Sequence, residues 1–222
     1  EMTSSLVGSE MCIRDRLDIL QMKLKLPDEV EALKKSQLCM NRLTDEVDRV
    51  LKSSQLASGK ITMVPEKIDL SEAIKECCDE LSPLAEARSV ELLFEPKNSI
   101  CISADAFWLP QAISNIIKNA VEHTARGTAV NVIIKDCIQN IEVRIEDHGA
   151  GIPEDELPLM FERFHRGAAA KAGYGIGLSM ANDIVRAHHG SIRVVNMQTG
   201  AAFTITLPVL DGTKPYLDAE EE

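Results

Sequence analysis

The hydrophobic period changes at Ser58-Gly59, so one kind of element cannot account for the whole chain. Before that point Val30, Leu33, Met40, Val47 and Leu51 recur at spacings of three, four and seven, with Gln37 and Thr44 filling the gaps. The pattern predicts a heptad-like stripe on a helix of roughly 28 residues. Leu43 and Val50 widen the stripe, so the helix needs more than one neighbour. Pro27 is suited to opening it, and Asp28 and Glu29 put negative charge in a first turn where the helix dipole favours it. A short helical stretch, Leu17 to Leu24, leads into this point. Residues 1–16 (EMTSSLVGSEMCIRDR) follow neither period and read as foreign to the fold or disordered.

After Gly59 the pattern becomes mixed. Ser71 is the expected cap of a helix running to about Arg88, and VELLFE (90–95) and ICISA (100–104) read as strands. Asp105 is expected to begin a helix that ends near His123. VNVIIKD (130–136) and IEVRIED (141–147) alternate as strands joined by a turn at Gln139-Asn140. A further helix is expected over 177–188, then a closing hairpin of SIRVV (191–195) and FTITL (203–207). The acidic tail, 210–222, is polar and read as disordered.

Charge excludes one large class of function. The 24 Lys and Arg against 35 Asp and Glu give a net charge of −11, with residues 1–60 neutral and the whole excess in 61–222. A protein that tracks nucleic acid phosphates needs a basic face, so no nucleic acid partner is expected. No apolar run of 18 residues occurs, so no membrane segment is expected in this chain, and no secretory signal opens it. The six cysteines form no C-x-x-C pair and read as small buried hydrophobes in a reducing cytosol. Against the acidic background, Arg163, Arg166 and Lys171 fall within nine positions beside a glycine cluster, where an anion would find local attraction.

Three clusters carry chemistry. Asn115 and Asn119 stand one helical turn apart on the same face. A side-chain amide oxygen suits Mg²⁺, which takes few protein ligands and draws the rest from substrate phosphates. Asp147-His-Gly149-Ala-Gly151-Ile152-Pro153 follows an apolar strand. There a carboxylate could accept from a purine amine while bare glycine backbone lets a ring approach, although the same pattern also makes an ordinary tight turn. Gly173-Tyr-Gly175-Ile-Gly177-Leu178 precedes a helix, whose free N–H groups and dipole favour a phosphate. It is neither a dinucleotide fingerprint nor a P-loop, because G-x-G-x-x-G and G-K-[ST] are both missing.

Order and spacing join these clusters. Asn119 precedes Asp147 by 28 residues and Gly173 follows 26 later, with Phe161-Glu-Arg-Phe164-His-Arg166 between them. This series of N-box, glycine box, phenylalanine box and second glycine box resembles the ATP-binding domain of sensor histidine kinases over about residues 66–208, including the ending GAAFTITLP. The long helix and SSQLASGKI resemble the second helix of that family's dimerisation hairpin. The resemblance implies an α/β (α+β) fold: a two-layer sandwich of a mixed sheet with helices on one face, preceded by a long helix from a helical hairpin. It divides the chain into a partial phosphoacceptor hairpin (17–64) and an ATP-binding kinase domain (65–209).

ATP and Mg²⁺ are the implied ligands. Asn119 would hold Mg²⁺ against the phosphates, and Asp147 would take the adenine amine. Gly149 and Gly151 would make room for the base, with Ile152 beside them. Gly173, Gly175, Gly177 and Leu178 would line the phosphates, with Arg166 and Lys171 on a lid over 165–174. Asn115 and His123 complete the implied ATP site, His123 stacking near the nucleotide. The implied activity is transfer of the γ-phosphoryl to a histidine, then relay to a response-regulator receiver domain. The implied whole protein is a homodimer through the hairpin, with a cytoplasmic catalytic part and an anchor in the bacterial cytoplasmic membrane.

Two departures accompany the resemblance. The acceptor motif, of H-E-x-x-x-P type, follows none of His123, His148, His165, His188 and His189. Glu122 stands where many members place a basic residue, and an acid there repels a triphosphate unless metal-bound or turned away. Phe161 and Phe164 are expected as core anchors, and His188 and His189 as complements to a helix C-terminus. The alternatives are a related ATPase or serine kinase of the same fold, or a non-catalytic nucleotide-binding module. Those relatives that activate water or serine carry a Glu four residues before the metal-binding Asn, a position held here by Asn115.

Overall fold

A computed structural model of the chain describes residues 35–36, 63–96, 98–165 and 175–209. Lys35 and Ser36 are helical and exposed; the rest of the expected long helix, residues 1–16, the segment 166–174 and the tail 210–222 lie outside the described residues. The chain divides into two compact units, Glu1–Ser54 and Gln55–Glu222, and every element below belongs to the second.

The elements run β1 (Pro65–Asp69), α1 (Leu70–Arg88), β2 (Glu91–Phe94), β3 (Cys101–Asp105), α2 (Trp108–His123), β4 (Ala129–Asp136), β5 (Asn140–Glu146), α3 (Gly177–Ala187), β6 (Ser191–Asn196) and β7 (Ala201–Pro208). Five strands form a mixed sheet in the order β2-β4-β5-β7-β6, with only β2 and β4 parallel. A parallel pair needs a crossover, supplied here by β3 and α2. β1 and β3 pair antiparallel as a separate two-stranded sheet, Pro65 opposite Asp105 and Asp69 opposite Cys101.

Alternation in the central strands builds the two layers. Along β5, Ile141, Val143 and Ile145 are buried while Glu142, Arg144 and Glu146 on the other face are only half-buried. Side chains two apart share a face, so helices cover one side of the sheet and polar residues the other. Across the helix-covered face lie Ile113, Ile116 and Ile117 of α2, Ile184 of α3 and Ile74 of α1, all with no exposed surface. α2 is the central helix, packed against both α1 and α3. Among the described residues no helix is long and apolar enough to cross a membrane.

Local details depart from the sequence expectation in physically clear ways. The cap of α1 is Asp69, whose carboxylate accepts from the N–H groups of Ser71 and Glu72 at 2.9 and 3.2 Å. Ser71 is instead buried in the first turn, where its hydroxyl donates to Asn98 O at 2.9 Å. Asp105 does not begin α2. It ends β3, and its Oδ1 accepts from Phe107 N at 3.0 Å and Trp108 N at 2.9 Å, so the carboxylate caps a helix starting three residues later. Ser89, at φ 58, closes α1 in the left-handed conformation usually left to glycine. The strand β1 was not expected, since PEKID carries no alternating apolar pattern.

Of the four described cysteines, Cys77 and Cys78 are buried and Cys101 and Cys137 only half-buried, so the expectation of burial holds for two of them. All four are free thiols. His188 sits at the C-terminus of α3 as expected, and it does more than face a dipole. Its Nδ1 lies 2.8 Å from Ile184 O and its Nε2 accepts from Asp105 N at 3.0 Å, so the Nδ1–H tautomer joins α3 to the end of β3.

Candidate functional site

The sheet register brings five chain segments to one end of the domain. β5 finishes at Glu146, opposite Asn131 near the start of β4 and Ala202 near the start of β7. β6 finishes at Asn196, opposite Ala201. The end of α2 reaches the same place, because Thr124 forms an isolated bridge with Gly149. Asp147 therefore emerges from the sheet into a ring of backbone contributed by residues distant in sequence.

Asp147 is 4% exposed. Its Oδ1 accepts from Gly149 N at 2.8 Å and from Ala201 N at 3.3 Å, while its own N–H donates to Ala201 O at 2.9 Å. Its Oδ2 accepts nothing among the described residues. A buried carboxylate is costly unless its oxygens are satisfied, so one unengaged oxygen leaves room for an outside donor.

The turn after Asp147 is held from both sides. His148 N donates to the Thr124 hydroxyl at 2.8 Å, that hydroxyl lies 3.3 Å from Thr128 Oγ1, and His148 Nδ1 lies 2.8 Å from Ala129 O. On the other side Asn196 Oδ1 accepts from Ile152 N at 2.8 Å. The glycines have roles within the protein itself. A Cβ on Gly149 would collide with the carbonyl of His123, and one on Gly151, at φ +76, would come 3.2 Å from Asn196 Oδ1. The space left by their missing side chains is thus filled by protein, which qualifies their expected role as room for a base.

On α2, Asn115 and Asn119 are both half-buried, on the face expected from their spacing. Asn115 lies beside the start of α3: a Cβ on Gly177 would stand 3.9 Å from its Oδ1. Of the asparagine pair, Asn115 thus stands beside the last glycine of the second cluster. Gly177 is the first residue of α3, and among the described residues no side chain caps its first N–H groups, which suits another acceptor. Leu178 and Ile152 are half-buried against the core, and His123 is exposed at the end of α2. Arg166, Lys171 and Gly173 lie outside the described residues.

The phenylalanine box departs from expectation. Phe164 is 67% exposed and sits at φ 63, so it is no core anchor. Its N–H donates to Gly175 O at 3.0 Å, and a Cβ on Gly175, at φ +69, would meet the carbonyl of His165. The two stretches pack closely through their backbones, and the aromatic ring is turned outward. Arg163 is engaged by Asp183 of α3 at 2.6 Å, which removes it from the expected group of anion-attracting charges. Glu122 contributes its carbonyl to Arg88 at 2.7 Å.

Sequence reasoning missed Thr124, Asn196, Gly200 and Ala201. A Cβ on Gly200, at φ +79, would run into the carbonyl of Asp147. The ending GAAFTITLP held the signal, because its glycine and first alanine are the residues that seat Asp147.

Known proteins are similar to this chain. Residues 104–211 match the family described as histidine kinase-, DNA gyrase B-, and HSP90-like ATPase. The sensor-like histidine kinase SenX3 of Mycobacterium tuberculosis (strain ATCC 25618 / H37Rv) is 29% identical over 175 residues, which cover 77% of this chain and 43% of SenX3. Among solved structures, the mycobacterial sensor histidine kinase MprB has a TM-score of 0.58 at 28% identity, over 64% of this chain and 97% of that one. Full-length ShkA, solved in complex with AMPPNP, shares the fold with a TM-score of 0.72 at 23% identity, over 96% of this chain and 47% of that one.

The matched stretch is an ATPase domain of the histidine kinase, gyrase and HSP90 type. The relatives it resembles are sensor histidine kinases. The chain spans less than half the length of SenX3.

Proposed function

We propose that this chain is the ATP-binding catalytic part of a sensor histidine kinase. In the whole protein it transfers the γ-phosphoryl of ATP to a histidine, for relay to a response-regulator aspartate. The observation that carries the reading is the buried Asp147 with one carboxylate oxygen unengaged among the described residues, in a domain where Asn115 stands beside the glycine that opens α3. Phosphoryl transfer asks mainly for positioning and charge neutralisation, and these are the parts the domain supplies.

The roles are those that the resemblance implies. Asp147 Oδ2 takes the adenine amine, and the start of α3 at Gly177 faces the phosphates. Gly173, Gly175, Leu178, Arg166 and Lys171 complete the phosphate side, and His123 and Ile152 the base side. The Asn119 side chain has no hydrogen-bond partner among the described residues and offers a neutral oxygen, which fits Mg²⁺ bound jointly with phosphates. Among the described residues no group of three or more His, Cys, Asp or Glu is placed to hold a metal, so phosphate oxygens and water would supply the other ligands. When bound, Mg²⁺ neutralises phosphate charge. A homodimer through the helical hairpin, a receiver-domain partner and an anchor in the cytoplasmic membrane are proposed for the whole protein on the same resemblance.

Calorimetric titration with ATP, with and without Mg²⁺, tests the reading on the wild type and Asp147→Asn. Magnesium-dependent binding that collapses in the variant supports it; wild-type protein that neither gives heat nor displaces a fluorescent nucleotide overturns it. Because no histidine here precedes an acceptor motif, the chain alone is expected to bind ATP without phosphorylating itself. Acid-labile, base-resistant phosphate on the chain would refute that. The alternative of a water- or serine-activating relative is disfavoured by Asn115, which cannot accept a proton as its Glu would. For the non-catalytic alternative the relevant residue is Glu122: Glu122→Lys tightens ATP binding if the side chain faces the phosphates, and leaves it unchanged if it faces solvent.

A further inference from the structure

We propose that Asn196, at the end of β6, is a positioning residue for base recognition: its amide holds the backbone of Ile152, and thereby the turn that begins at Asp147. The inference rests on the reading of Asp147 as the group that takes the adenine amine, and it names what keeps that group's surroundings in place.

Asn196 Oδ1 accepts from Ile152 N at 2.8 Å and its Nδ2 donates to Ile152 O at 2.7 Å. One side chain thus satisfies both backbone groups of one residue, as a neighbouring strand would. The partners also fix which way the amide points, since the reverse orientation would set donor against donor and acceptor against acceptor. The fit extends to Gly151, where a Cβ would come 3.2 Å from Asn196 Oδ1. At the other end of the turn, Asp147 is seated on Ala201 through N–H to carbonyl at 2.9 Å and carboxylate to N–H at 3.3 Å. Asn196 and Ala201 are opposite each other in the hairpin register. The turn end of the β6–β7 hairpin therefore grips the turn at residues 147 and 152, with Thr124 of the α2 end holding 148 and 149 between them.

Removal of the Asn196 amide releases the Ile152 end alone. Asp147 keeps its contacts with Ala201, so the carboxylate stays buried while the backbone beyond it loses its fixed path. Preorganised recognition weakens when the groups around a ligand must be ordered on binding. The loss falls on discrimination between bases more than on the fold, because Asn196 is exposed and contributes nothing to the core.

The test measures affinity for ATP and GTP by displacement of a fluorescent nucleotide, with the thermal midpoint of each variant. Asn196→Ala is expected to weaken ATP roughly tenfold and to narrow the ATP-over-GTP preference, with a small change in midpoint. Asn196→Ser, whose hydroxyl both accepts and donates, is expected to recover part of the preference; Asn196→Asp, which keeps only the acceptor, is not. Val194→Ala on the same strand serves as a control for simple hairpin destabilisation, and should lower the midpoint while leaving the preference unmoved. If Asn196→Ala does not fold, the Ser and Asp pair carries the comparison. An unchanged preference in the Asn196 variants, with binding abolished by Asp147→Asn, overturns this inference and leaves the proposed function standing. Binding that survives Asp147→Asn overturns both.

Discussion

At the scale of single residues, the site depends on backbone contacts that only glycine permits and on carboxylates that accept N–H groups. Gly200 illustrates the first. With φ at +79 and its α-carbon against the Asp147 carbonyl, an added methyl meets both a strained backbone and a collision. Gly200→Ala is expected to lower stability by on the order of 1–3 kcal/mol in urea titration and to weaken nucleotide binding with it, since the displaced group is Asp147 itself. Stability equal to wild type would mean the hairpin end relaxes freely. Asp69 illustrates the second: its carboxylate caps α1 through two N–H groups, and Asp69→Ala should cost about 1 kcal/mol by the same measurement. Phe164 shows the limit of residue-type reasoning. An aromatic at the root of the lid looks like an anchor, yet its N–H bonds Gly175 O and its ring faces solvent.

At the scale of elements, the two helices nearest β3 are started by carboxylates whose titration links them to pH. Burial by itself raises the pKa of Asp69 and Asp105. For Asp69 the Ser99 hydroxyl and the N–H groups of Glu72, Ser71 and Ile100 outweigh it, so the carboxyl lies below its ordinary range. For Asp105 the N–H groups of Val64, Trp108 and Phe107 do the same. A carboxyl with a lowered folded-state pKa holds fewer protons folded than unfolded. Its contribution is full above the unfolded value of about 3.9 and is lost as the pH falls through the lower folded value. The thermal midpoint should therefore drop steeply below about pH 4. In an Asp69→Asn, Asp105→Asn double variant, which keeps cap acceptors, the drop should be shallower. Parallel curves for the two proteins would count against this linkage. Cap assignment was also where sequence reading slipped: Asp69 and Ser71 are both good caps, and only the path of β1 into α1 selects the first.

At the scale of the whole molecule, the packed layer between helices and sheet determines which groups react. Burial, aided by Glu80 and Glu76, pushes the Cys77 thiol up to about 11. Burial pushes Cys78 up to about 12, with Cys77 and Asp79 adding to it. Since the thiolate is the reactive form, a thiol reagent at pH 8 should modify half-buried Cys101 and Cys137 before Cys77 and Cys78. Cys77 and Cys78 should follow only at the rate of unfolding, and peptide mass spectrometry over a labelling time course reads that order. Early labelling of either would mean α1 opens locally.

The same scale separates what was legible in the sequence from what was not. Central strands such as NIEVRIE announce themselves by alternation, and Asn115, Asp147 and Gly177 by residue type and order, because each signal is complete within a few neighbouring residues. Those local patterns, through the resemblance they carry, determined the fold class and the proposed members of the site. The strand β1 exists only because β3 pairs with it. The contacts that seat the Asp147 turn come from Thr124, Asn196 and Ala201, at separations of 24, 44 and 54 residues. A hydrogen bond across such distances leaves no periodicity in the chain, so the tertiary structure alone decided which residues hold the site in shape.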